Sequence, residues 1–445
     1  MKPLAWLGAT CLACFAGLAR SADGDLDLSF STDGLALVSW PYSIGSARAA
    51  VAADGSIFHA TTEAREVGAE INLDFAISKL RSDGSFDTAF GFFGQRSIGI
   101  DAIVNGSDSL RGVFPLPGGG VLLAGSVQMD DDAFGYRAPG LVRLMPDGDP
   151  DPSFGMNGRQ VITHTPWPEP AEVQVKAVAQ QADGKLVFAG VCFDCAGARL
   201  VIAVRLTGNG ELDPTFADGG WFGFDTQNYI DIGSVAIDAW GRIVLGGSDE
   251  PDADPDDRPW LMRLTPSGQP DPTFGAGTGI SFLQDVPSLG GDWHTPSIAI
   301  DTDGSIVLAL DNGGAGVARA REDGSLDTTF ADNGFRDLDR EVGAEIRAVA
   351  IRGDHRIVVA GGLHHTGGEY DQYLARLHAD GSFDDDFAGN GLLRIDMIAG
   401  EDDSATAIAF DGGRPLVVGR GGADTDTGTL LRLQSDLIFA SGCGD

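Results

Sequence analysis

The sequence predicts an all-β fold, a seven-bladed β-propeller of four-stranded blades, and three observations lead there. One eight-residue phrase occurs in seven copies at a spacing near sixty residues. Short β-branched runs joined by glycine turns fill the space between the copies. No stretch has the length and apolar period of an amphipathic helix.

The phrase reads DGDLDLSF (23–30), DGSFDTAF (83–90), DGDPDPSF (147–154), NGELDPTF (209–216), SGQPDPTF (267–274), DGSLDTTF (323–330) and DGSFDDDF (380–387). Its closing residues, Phe30, Phe90, Phe154, Phe216, Phe274, Phe330 and Phe387, lie 60, 64, 62, 58, 56 and 57 residues apart. A length of 445 residues would ordinarily suggest two or three domains. A fixed period instead marks units that stack into one architecture. Asp-Gly allows the positive φ of a tight turn. The second aspartate (Asp87, Asp151, Asp213, Asp271, Asp327) is placed to accept backbone N–H bonds across the bend. The phenylalanine is expected between adjacent blades, as a large apolar contact. Calcium loops need several oxygens converging on one point, and a two-aspartate turn is too sparse for that.

Each unit opens with a hairpin, as in KAVAQQADGKLVFAG (176–190), SVAIDAWGRIVLGG (234–247), SIAIDTDGSIVLAL (297–310) and RAVAIRGDHRIVVAG (347–361). A third run leads into the phrase: LVRL (141–144), IAVRL (202–206), LMRL (261–264), YLARL (373–377). A fourth follows it: QRSIGI (95–100), RQVITH (159–164), GISFL (279–283), LLRID (392–396). Four short strands repeated about an axis are the blades of a propeller. The first copy of the phrase supplies only a fourth strand, LALVSW (35–40), while the last hairpin (406–419) and third strand TLLRL (429–433) lack one. These pieces compose a seventh blade, closing the ring by joining the N-terminal strand to the C-terminal three and hiding the edges an open solenoid would expose.

Residues 1–22 read as a secretory signal peptide: Lys2, a short apolar core from Leu4 to Leu18, then small residues that offer cleavage after Ala19, Ser21 or Ala22. The apolar run is too short for a comfortable membrane span, so no transmembrane anchor is expected. The domain plan is therefore 1–22 signal peptide, 23–433 propeller and 434–445 a short tail. The expected location is exported: secreted, periplasmic or cell surface. The formal charge is −35, and removing Lys2 and Arg20 would bring it to −37. Such an acidic surface repels phosphate backbones, so nucleic acid is not an expected partner. It admits Ca²⁺ or another divalent cation, although no cofactor is evident and solubility alone accounts for the acidity. Cys192 and Cys195 in CFDC suit a local disulfide in an oxidising compartment. Cys443 has no evident partner.

The phrase D-G-[SD]-[LF]-D-x-x-F followed by Gly, on its near-sixty period, resembles the bacterial delta-60 repeat. DGSLDTTF with ADNG (331–334) is the copy nearest that pattern, while Asn209 and Ser267 depart from it. The resemblance implies a β-propeller domain of unknown function in exported proteins and implies no catalytic residues.

Propellers bind ligands at the mouth of the central channel, where the first strands begin. Hairpins aligned on Val51, Val113, Val178, Val235, Ile298, Val349 and Ile408 offer two rings. Four residues earlier stand Ala47, Ser109, Gln174, Asp231, His294, Glu345 and Ser404; two residues earlier stand Ala49, Arg111, Lys176, Gly233, Pro296, Arg347 and Thr406. Asp231, His294 and Glu345, from consecutive blades, are candidate metal ligands. Arg111, Lys176 and Arg347 are candidates to neutralise those acids or to hold a small anion. Elsewhere EPDADPDDRP (250–259) and Asp384, Asp385 and Asp386 read as solvated acidic loops, and His364, His365 and Glu369 lack helical HExxH spacing. Two functions follow. One is a non-enzymatic, monomeric scaffold that binds a protein, glycan or small ligand; the other is a metal-dependent hydrolase or lyase acting at the channel mouth.

Overall fold

The computed structural model describes residues 24–435 apart from the segments 41–42, 68–69, 101, 103–105, 130–135, 168–171, 196, 226–228, 251–257, 288–293, 312–313, 339–342, 365–368, 399 and 423–426. The signal-peptide reading of 1–22, the tail with Cys443 and the centre of EPDADPDDRP fall outside the described residues.

Seven antiparallel four-stranded sheets form, each in first-to-fourth strand order. Blades 1 to 6 occupy 43–98, 108–161, 172–224, 229–282, 294–337 and 344–395. Blade 7 combines Ser404–Asp411, Arg414–Gly421 and Thr427–Arg432 with the N-terminal strand Leu35–Ser39, whose Leu35 pairs with Leu431 and Ser39 with Thr427. The predicted closure is therefore the observed one. The seven first strands touch one another in an unbroken circle that runs from Ser43–Val51 round to Ser404–Asp411 and back.

Second strands such as Val121–Gln128 and Ile357–His364 are buried almost throughout, because both of their faces meet neighbouring blades. This explains their continuous apolar runs. All seven motif phenylalanines are buried. The single helical element among the described residues is the one-turn 3-10 segment Gly275–Gly277.

The recurring phrase is the clasp between blades. In each copy the second aspartate accepts from the backbone N–H two residues on, as Asp213 does from Thr215 (3.0 Å) and Asp327 from Thr329 (3.1 Å). Eight residues before it, at the end of the third strand, an arginine lies over the motif phenylalanine and donates to that same aspartate. Arg263 is 2.8 Å from Asp271 and 4.7 Å from the Phe274 ring centre. Arg205 and Arg376 repeat this with Asp213 and Asp384, and Arg432 does so with Asp27 at the closure. Blade 1 uses Lys79 with Asp87. Further N–H groups reach the next blade: Arg205 donates to the carbonyl of Pro266, Arg263 to Glu322 and Arg432 to Ser82.

The motif glycine completes the contact, because its φ is positive and a Cβ would collide with the preceding blade's phenylalanine. At Gly324 (φ 85°) that Cβ would lie 2.5 Å from Phe274, and at Gly24 (φ 94°) 2.8 Å from Phe387, which carries the pattern across the closure. Asp384 is thus a correction to the sequence reading. It is fully buried between Arg376 and Arg356, whereas Asp385 and Asp386 are exposed.

Candidate axial site

Every first strand carries a β-bulge at the same place. The pairing slips between Leu110 and Gly112, Val175 and Ala177, Ile232 and Ser234, Ile346 and Ala348, and Ala405 and Ala407. The extra residues are Arg111, Lys176, Gly233, Arg347 and Thr406, all members of the ring predicted two residues before the aligned position. In blade 5 the slip spans His294 to Ser297 and includes Pro296, which has no N–H to lose from a ladder. Bulges aim side chains away from the regular pleat, which suits a channel wall.

The bulge also explains a glycine in the second strand. Where the ladder slips, a first-strand carbonyl leans over its partner. A Cβ on Gly125, Gly190, Gly247 or Gly361 would meet the carbonyl oxygen of Ser109, Gln174, Asp231 or Glu345 at 2.1, 2.1, 2.1 and 1.8 Å. The recurrent Ala-Gly and Gly-Gly pairs of the second strands are therefore the sequence signal of the bulge.

Blade 1 requires a correction. Its first strand holds two extra residues between Ile44, opposite Thr62, and Arg48, opposite Ala60. Ala49 faces His59 as Val113 faces Leu123, so the equivalent of Val113 is Ala49 and not Val51. The bulge position is then Ala47, and Ile44 takes the place of Ser109 by its pairing. Valine identity misled the alignment, because pairing fixes register independently of residue type. Arg48, opposite Ala60, then stands just after the bulge, where blade 2 has Gly112 opposite Ala124.

Of the predicted ligands, the structure joins acids to cations. Lys176 Nζ of blade 3 lies 3.8 Å from Asp231 Oδ1 of blade 4, and the Ile232 N–H donates to the same oxygen (2.9 Å). Glu345 accepts from Arg347 at 2.7 Å and from the Tyr370 hydroxyl at 3.3 Å. Arg111 Nε donates to the Val175 carbonyl of the next blade (3.0 Å). His294 is paired in its strand opposite Asp311, and its side chain lies outside the described residues. Among the described residues no three His, Cys, Asp or Glu side chains converge as a metal site would require.

The remaining cations differ. Burial, and then the charge of Arg111, pull the Arg48 pKa down to about 10. Burial and Arg137 lower that of Arg111, and burial and Arg347 lower that of Arg420, which pairs opposite Ser404. Sequence reasoning missed Arg48 and Arg420. The first follows the bulge at a position that neither ring included, and the second sits on a second strand where the other blades carry shorter side chains.

Cys192 and Cys195 are bonded to each other, their Cα atoms 5.8 Å apart and both side chains buried where the second strand of blade 3 turns into the third. Trp240 is exposed and stacks on Arg242 (4.6 Å). No helix among the described residues is long and apolar enough to cross a membrane.

The model of the family "Domain of unknown function (DUF5122) beta-propeller" matches residues 119–154, 181–216, 241–274 and 353–387. Each match runs from the first hairpin turn to the motif phenylalanine, in blades 2, 3, 4 and 6. No curated protein matches the sequence. Solved structures similar to it include a protein of unknown function from Dyadobacter fermentans, 13% identical, covering 90% of this chain and 100% of that one with a TM-score of 0.45. An α-L-arabinofuranosidase from Fusarium graminearum is 13% identical over 80% of this chain and 97% of that one (TM-score 0.44). A glucose dehydrogenase is 14% identical over 74% and 98% (TM-score 0.42). The family match reaches four of the seven blades and supports one statement about this chain: those blades are similar to the β-propeller repeats of that family.

Proposed function

We propose that the chain is an exported binding scaffold, a member of the delta-60 group, that takes its ligand at the axial mouth. The observation that carries this reading is internal. Seven copies of one unit answer the same packing demands, so positions that stay alike from blade to blade serve the fold. The Arg–Asp–Phe clasp stays alike, whereas the ring of Ser109, Gln174, Asp231, His294, Glu345 and Ser404 does not. Divergence at equivalent sites is where recognition can be built without cost to closure.

The test is a screen of the purified chain against glycans, proteins and small metabolites, followed by mapping. A ligand found in this way should be lost in Arg111→Ala or Arg347→Ala and kept in Thr329→Ala on the motif turn. Loss only through motif-turn substitutions would contradict the reading. Export predicts that protein recovered outside the cytoplasm begins close to Asp23, and full-length protein confined to the cytoplasm would oppose it.

A metal-dependent hydrolase or lyase remains the second reading, carried by the presence of Asp231, His294 and Glu345 on consecutive blades. Any divalent ion there must compete with Lys176 and Arg347 for the two carboxylates. Ca²⁺ should raise the melting temperature and EDTA reverse it if this reading holds; no shift sinks it.

A further inference from the structure

We infer that the ligand of the axial mouth is a small oxyanion, bearing a carboxylate or phosphate group, held on the side formed by blades 6, 7, 1 and 2. This inference rests on the scaffold reading above and specifies its ligand chemistry. Arg347, Arg420, Arg48 and Arg111 come from four blades that are consecutive round the closed ring. Three of them, Arg48, Arg111 and Arg420, are half-buried and face like charges: Arg48 beside Arg111, Arg111 beside Arg137, and Arg420 beside Arg347.

Among the described residues none of these three has a carboxylate partner. The Arg48 guanidinium donates to its neighbour's carbonyl, Ala47 O, at 3.1 Å, and Arg111 spends Nε on Val175 O at 3.0 Å. A guanidinium has five N–H donors, so most of the donating capacity of the group is free for an acceptor.

This arrangement is costly in a chain that carries 65 acidic residues and 30 lysines and arginines. At all six arginine clasps the arginine is instead matched to an aspartate. Lining one side of the channel with mutually repelling, half-buried cations raises the energy of the empty state. A bound oxyanion removes that penalty and gains bidentate, charge-assisted hydrogen bonds in a screened interior.

The opposite side of the mouth differs, because Lys176 and Asp231 of blades 3 and 4 offset each other. Size follows from the surface charge. A polyanion would feel the acidic exterior along its length, while a small anion inside the channel feels charges within a Debye length of about 8 Å.

The experiment is calorimetric titration of the full chain at low ionic strength with inorganic phosphate, glucuronate and glucose, against matched potassium chloride. Saturable one-to-one binding of phosphate or glucuronate, with glucose silent, is expected; which of the two binds separates a phosphate from a carboxylate ligand. Arg111→Gln and Arg420→Gln should each weaken that binding at least tenfold, and circular dichroism checks that they fold. If either variant fails to fold, the other carries the test from a different blade. Glucose binding as well as glucuronate, with affinity unchanged in both variants, would overturn the anion inference and leave the scaffold reading standing. Silence from all three probes overturns the inference, and the wider glycan and protein screen then decides the scaffold reading separately.

Discussion

The inter-blade clasps and the channel mouth are built from the same seven units, yet they obey opposite rules. At the clasps every blade sets a cation over a buried phenylalanine and against a buried or half-buried aspartate. At the mouth the backbone repeats its bulge but the side chains change from Ser109 to Gln174 to Asp231. Repetition of chemistry therefore marks the fold, and repetition of backbone with variable chemistry marks a platform. The electrostatics agree. At Asp213 burial alone would raise the pKa, but Thr215, Arg205 and Lys185 hold it at about 2. Charge at a clasp is compensated in place, whereas Arg48, Arg111 and Arg420 are not.

The largest effects belong to the clasps. Phe330→Ala empties a buried site between blades 5 and 6 and should cost about 3–5 kcal/mol in chemical denaturation. Arg263→Ala leaves Asp271 charged and buried, with a loss of similar size, about 3–5 kcal/mol. A change below 1 kcal/mol in either would break the distinction.

Next comes His59, a buried imidazole whose two nitrogens have no hydrogen-bond partner among the described residues and whose pKa burial pushes down to about 4. The equivalent residues by pairing are Leu123, Phe188, Leu245, Leu308, Val359 and Val417. The fold keeps His59 neutral while the unfolded chain takes its proton near the usual 6.5. Stability should thus fall as pH drops from 6.5 to about 4, by at most about 3 kcal/mol, and the slope should end below that. His59→Leu should remove this slope and raise stability at neutral pH; an unchanged pH profile would contradict the assignment.

Gly361→Ala sets a Cβ against the Glu345 carbonyl and should cost about 1–3 kcal/mol while displacing the bulge. The contrast is blade 5, where Leu310 fills that place. The smallest stability effect should come from the mouth itself. Arg347→Gln, at a half-exposed site, should stay within about 0.5 kcal/mol of the parent while altering ligand binding.

The ring was readable because its signals are local and repeated. Spacing of the phenylalanines counted the blades, and the unmatched strand at 35–40 announced the closure. The clasp arginines were visible as the RL that ends five of the seven third strands, but their role depends on a contact with a residue eight positions on and another blade beyond that, which no local pattern encodes. Arg432 reaching Asp27 across the closure is the extreme case. The mouth was legible only where register was regular. Two extra residues in blade 1 shifted its ring positions to Ile44 and Ala47, Arg48 follows the bulge outside both rings, and Arg420 enters from a strand that the ring alignment did not include.

The most direct test compares thermal melts of Thr329→Ala and Arg111→Gln with and without the anion that the parent binds. Thr329→Ala removes a hydroxyl bond to Asp327 (2.7 Å) and should melt lower, by about 1 kcal/mol in stability, yet keep its anion-induced rise. Arg111→Gln should melt no lower than the parent and lose that rise. The opposite pattern, with Arg111→Gln unstable but responsive and Thr329→Ala stable but silent, would contradict the division between clasp and mouth.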